Sequence, residues 1–92
     1  MATFLMFGKY CPQSMQEMNP ERTATAIDAI KQSGGTVEAM YAAFGEIDLV
    51  FVLHFPTNDD AMKASVALTK MTGIGFTTAP AITVGEFDKL LG

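Results

Sequence analysis

Residues 44–56 read FGEIDLVFVLHFP. Gly45, Glu46 and Ile47 make a turn, Asp48 to Phe55 a strand, and Pro56 ends it. A strand in a small two-layer protein should alternate, with one side apolar and the other wet. Here Leu49, Phe51, Leu53 and Phe55 form one apolar row, while Val50 and Val52 fill the other and His54 stands near its end. Both faces of this strand therefore ask to be covered.

The flanking segments supply the cover for one face. Thr3 to Gly8 is a first strand with the same excess: Leu5 and Phe7 on one side, Phe4 and Met6 on the other. Cys11 to Met18 is an irregular or loosely helical entry. Asn19-Pro20-Glu21 starts a helix, with a capping side chain, a proline at the first position and an acid at the positive end of the dipole. Ala24, Ile27, Ala29 and Ile30 give it an apolar stripe, and Ser33-Gly34-Gly35 ends it. Thr36 to Phe44 is the strand before the turn. After Pro56, Thr57 opens a second helix with Asp59 and Asp60 in its first turn and with Ala61, Ala64, Leu68 and Met71 inward. It stops at Gly73, and Gly75 to Ile82 is a last strand, placed at an edge by Pro80. Thr83 and Glu86 have capping-box spacing before a short helix carrying Phe87, Leu90 and Leu91.

The order β-α-β-β-α-β predicts an α+β, ferredoxin-like sandwich. Right-handed crossovers set a four-stranded antiparallel sheet in the order 4-1-3-2, with two helices on one face and a short C-terminal helix beyond. The span 1–92 is expected to be one domain. The helices cover the row beginning at Leu49. The row of Val50, Val52 and His54 is left bare, and the simplest cover is a second copy packed face to face about a two-fold axis.

Composition supports that expectation. Apolar residues make up 49% and charged residues 17%, against about 25% charged in typical soluble domains. A chain of this length buries only roughly 60–65% of its unfolded surface, enough for one modest core. The net charge of −4, with Arg22 the lone arginine, argues against nucleic acid. No run approaches the roughly 20 apolar residues of a membrane span, and MATFLMFGKY has no basic leader. A bacterial, cytoplasmic protein is expected. Cys11 is the lone cysteine, His54 the lone histidine, and no metal-ligand spacing exists. Gly73-Ile74-Gly75 lacks the basic group and helix of a phosphate loop. No metal and no cofactor are expected.

The segments FLMFGKYCPQSM, ERTATAIDAIKQSGGTVEAMYAAFGEIDLVFVLHFP and GEFDKLL together resemble the GYD-domain family of small, functionally uncharacterised bacterial proteins. In the hairpin, Gly45 and Asp48 match the family pattern, while Ile47 stands at its tyrosine. His54 stands where the family usually has an acidic residue. The resemblance implies a ferredoxin-like, dimeric α/β-barrel architecture. That architecture also serves cofactor-free monooxygenases, muconolactone-type isomerases, haem-using enzymes and amino-acid-sensing modules.

His54 is the candidate for chemistry, on the uncovered face by strand parity. If Phe44 pairs with Asp48, Glu38 lies opposite His54 and can orient its ring; the two would form a general base or a polar anchor. A register one residue over puts Val37 there and turns Glu38 beneath the helices. Burying a lone carboxylate is costly, so the first register is expected. A neighbour-satisfied interfacial histidine is the plainer alternative. Tyr41 then shares the helix-facing side with Val37 and Ala39, as a packed residue or one whose hydroxyl reaches a pocket. Lys9 and Tyr10 are surface residues or the rim of a cavity. Gly45 is expected at positive φ, and Asp48 to accept backbone N–H bonds in the turn. Cys11 is expected as a buried or half-buried thiol. His54, Glu38, Tyr41, Val52 and Met6 are the candidate ligand-binding residues, and His54 the candidate catalytic one. The sequence supports a homo-oligomeric binding or scaffold module for a small apolar molecule. Its alternative is a cofactor-independent isomerase or monooxygenase on a small aromatic or lactone-like substrate.

Overall fold

A computed structural model describes residues 1–92. The elements run β1 (Ala2–Lys9), α1 (Pro12–Gln16), α2 (Pro20–Gln32), β2 (Thr36–Ala42), β3 (Leu49–Phe55), α3 (Asn58–Thr72), β4 (Gly75–Ala81) and α4 (Val84–Leu90). The four strands form one antiparallel sheet in the order β2-β3-β1-β4, which is 4-1-3-2 read from the opposite edge. Each long helix begins on a side-chain cap: Asn19 accepts from the Arg22 N–H at 2.9 Å, and Thr57 from the Asp60 N–H at 3.1 Å. Gly73 closes α3 at φ 75°, a conformation that costs glycine little.

One sheet face and the two helices make the core. Phe51, Leu53 and Phe55 of β3 pack with Phe4 and Met6 of β1, Ala26 and Ile30 of α2, and Ala61, Ala64 and Leu68 of α3. Met71, expected inward on α3, is exposed, and Thr72 is buried in its place with its hydroxyl on the Leu68 carbonyl at 2.7 Å.

The register sets the opposite, bare face. Thr3 pairs with His54, Leu5 with Val52, and Phe7 with Val50. Those six side chains are half-buried, covered only by their neighbours. Phe4 and Met6 pair with Leu53 and Phe51, so they belong under the helices and not on the open face.

The hairpin register differs from the expected one. Ala39 to Ala42 pair with Val52 to Leu49, one residue away from the frame that would set Glu38 across from His54. The ladder then shifts between Val37 and Ala39, so Glu38 is an extra, bulged residue. In an unbroken ladder Glu38 would turn beneath the helices. The bulge releases it and hands the helix-facing place to Val37, which packs on the core. The cost of a buried carboxylate is avoided by one unpaired residue, without moving the whole strand. Gly45 does not take positive φ; Phe44 does, at 56°. The Phe44 ring stacks on Tyr10 with centroids 5.9 Å apart, which helps hold that conformation.

Candidate functional site

The bulge at Glu38 and the strand pairing at Thr3 converge on His54. Glu38 Oε1 lies 2.8 Å from His54 Nε2, and Thr3 Oγ1 lies 3.1 Å from His54 Nδ1. An ionised carboxylate only accepts, so Nε2 carries a proton. In the neutral ring Nδ1 then accepts from the Thr3 hydroxyl. Both ring nitrogens are thereby occupied, and three side chains from β2, β3 and β1 form one hydrogen-bonded chain across the end of the open face. Glu38 is exposed and His54 half-buried, so the chain can reach a ligand on that face.

A cavity of about 440 Å³ opens beside this chain. Thr3, Leu5, Glu38 and Val52 supply its sheet wall, and Ile82, Thr83 and Glu86 supply the wall at the start of α4. Of the residues expected at a ligand site, Glu38 and Val52 both line this cavity. His54 is reached only through Glu38 and Thr3. Met6 is fully buried in the core at 0% exposure, because β1 turns its even-numbered side chains to the helices. Tyr41 pairs with Val50, so it falls on the open face and not on the helix side; on the edge strand it is 62% exposed. It borders a separate cavity of about 210 Å³ together with Arg22, Met40 and Phe51. Thr3, Thr83 and Glu86 were missed as lining residues. Carrying the β3 register across to β1 would have found Thr3.

The opposite end of the sheet is a structural clasp. Asp48 is 4% exposed and accepts the Tyr10 N–H at 3.0 Å. Lys9 Nζ lies 3.4 Å from its carboxylate and donates to the Gly45 carbonyl at 2.8 Å. The Tyr10 N–H bond, with the Lys9 charge beside it, holds the Asp48 carboxyl below the usual aspartate range despite its burial. Lys9 and Tyr10 therefore tie β1 to the hairpin and do not rim the open-face cavity. Cys11 is exposed, contrary to expectation. Its thiol caps α1 by accepting the Ser14 N–H at 3.4 Å, and the hydrogen bonds with Ser14 draw its pKa down.

No group of three or more His, Cys, Asp or Glu side chains converges in the fold. No helix is long and apolar enough to cross a membrane.

The GYD domain profile matches residues 4–91. A search of curated proteins finds no match. Among solved structures, the chain is similar to the Mycobacterium tuberculosis leucine response regulatory protein LrpA, with TM-score 0.62 and 11% identity over 89% of this chain. It spans about half of that protein, 51% of its length. It is also similar to FFRP-DM1, with TM-score 0.61 and 21% identity, covering 89% of this chain and 100% of that one. At these identities the likeness is one of fold.

Proposed function

This chain belongs to the GYD-domain family, and on that premise we propose that it is a homo-oligomeric module that binds a small, largely apolar molecule on its open sheet face. The observation that carries this reading is the pairing of Leu5 with Val52 and Phe7 with Val50 on a face that no helix of the chain covers. An apolar sheet face left in water is a patch of the kind that marks an interaction site. The 440 Å³ cavity at its end falls in the range of small-molecule sites. LrpA is named for a response to leucine. The apolar wall of Leu5, Val52 and Ile82 suits a branched aliphatic group. The lining includes no Lys or Arg to take a carboxylate, so the reading favours a neutral apolar ligand over a free amino acid.

Thermal-shift screening of small metabolites tests this. An apolar ligand should raise the Tm of the wild type and fail to do so for Val52→Glu. A flat response across the screen, from a sample that melts cooperatively, counts against it.

The second reading is a cofactor-independent enzyme of the isomerase or monooxygenase type, with His54 as base. The Glu38–His54–Thr3 chain beside the cavity favours it. For His54 to take a substrate proton, Nδ1 must first give up the Thr3 hydroxyl. His54→Ala should then abolish turnover of an aromatic or lactone-like substrate while leaving its binding intact. A binding module would lose neither more nor less than affinity.

A further inference from the structure

Helix α4 has an unusual standing in the fold: none of its residues is buried. Val84, Phe87, Leu90 and Leu91 are 74%, 51%, 75% and 72% exposed. Their spacing places them along one side of the helix, with Glu86, Asp88 and Lys89 on the remainder. The Thr83 cap accepts the Glu86 N–H at 3.1 Å and starts the helix. A cap alone does not hold seven residues helical in water, where isolated helices shorter than about 12–15 residues are marginal. An apolar stripe on a helix this short needs a surface to lie against.

We infer that α4 is an arm that docks its apolar stripe on a second copy of this chain, at the rim of that copy's open sheet face. This rests on the reading that open faces pair. Two observations select a second copy as the occupant. The arm leaves the sheet beside the open-face cavity, whose wall Ile82, Thr83 and Glu86 share with Leu5 and Val52, so a copy seated on that face lies within its reach. The second observation is area. A stable interface buries about 800 Å² per partner. Leu5, Phe7, Val50 and Val52 are already half-covered by their sheet neighbours and fall short of that. The α4 stripe, half to three-quarters exposed, adds on the order of 400 Å², the larger share of what such an interface needs. The open-face cavity, exposed at one end in the single chain, is then closed by the second copy's arm.

Sedimentation equilibrium on the full chain tests the arm, with Phe87→Glu/Leu91→Glu and Val52→Glu as variants and circular dichroism to confirm folding. Since no residue of α4 is buried in its own chain, the double variant should keep its fold and melt cooperatively as a monomer. Its dimer dissociation constant should rise about 100-fold, equivalent to about 2.7 kcal/mol. Val52→Glu should dissociate the dimer as well. A wild-type dimer broken by Val52→Glu but unchanged in the double variant overturns the arm and leaves sheet pairing standing. A dimer broken by the double variant but not by Val52→Glu overturns the open-face reading, and the docking place inferred for α4 with it. A wild type that stays monomeric at 100-fold above about 1 μM, a modest affinity for such an interface, overturns both.

Discussion

Asp48 ties the hairpin to the end of β1 by three contacts: its carboxylate takes the Tyr10 N–H and faces the Lys9 ammonium, and its own N–H reaches the Gly8 carbonyl at 2.9 Å. Its lowered pKa makes the folded state depend on pH in a definite direction. The ionised form contributes stability above the ordinary aspartate pKa of about 4, and that contribution is lost as pH falls through the depressed folded value. Asp48→Asn should therefore lower the Tm by about 5–10 °C at pH 7. The gap to wild type should narrow progressively as pH falls below about 4. An equal gap at pH 7 and pH 3 in thermal melts would show that the charge is not what holds the clasp. Glu38 poses the contrasting case. Its bond to His54 is short at 2.8 Å, but the carboxylate is exposed, and solvent screens such pairs. Glu38→Ala should cost no more than about 1 kcal/mol in urea unfolding. A loss of about 3 kcal/mol or more would make the pair a structural strut and remove the reason for seeing a site there.

At the scale of elements, the two glycine-bearing joins behave differently. Gly35, between α2 and β2, lies against Phe55: an added Cβ would come within 2.5 Å of that buried ring. Gly35→Ala should cost about 1–3 kcal/mol through overpacking. Gly45, the glycine that matches the family hairpin, has open space where its Cβ would be and no positive φ. Gly45→Ala should stay within about 0.5 kcal/mol of wild type. A large loss at Gly45 with none at Gly35 in parallel urea melts would contradict both packing arguments. The helix starts at Asn19, Thr57 and Thr83 were legible in the sequence because a cap is local chemistry, settled within a turn of its own residue. So was the double-sided strand at Leu49–Phe55, since its period needs no knowledge of neighbours. The frame of β2 was not legible. TVEAMYA has no clean alternation, and the choice lay between shifting a whole ladder and inserting one bulge. The same ambiguity put Tyr41 on the wrong face, whereas Thr3 was hidden by the β1–β3 pairing, which sets it across from His54. Met6 was misplaced for a related reason: both sides of β1 are apolar, so only its pairing with Phe51 says which side meets the helices.

For the whole molecule, shape is the informative quantity. The chain measures 48 × 29 × 17 Å with a radius of gyration of 13.7 Å. A compact chain of its length should be about 12 Å, so this one is elongated. The 17 Å dimension is the thickness of one sheet with its helices, so stacking two copies through their open faces adds little length. With the two sheets about 10 Å apart, such a dimer should scatter X-rays with a radius of gyration of about 19 Å. Joining copies edge to edge across the 29 Å dimension, through the exposed β2 or β4 edges, gives about 22 Å instead. Small-angle scattering over a dilution series separates the two arrangements. Folding linked to association should also raise the Tm with protein concentration. That rise should vanish in Val52→Glu, whose charge would be left buried without a partner on the paired face. A value of about 22 Å, or a Tm indifferent to concentration while the particle remains dimeric, would place the contact on a strand edge and leave the apolar face of Leu5, Phe7, Val50 and Val52 free for a ligand alone.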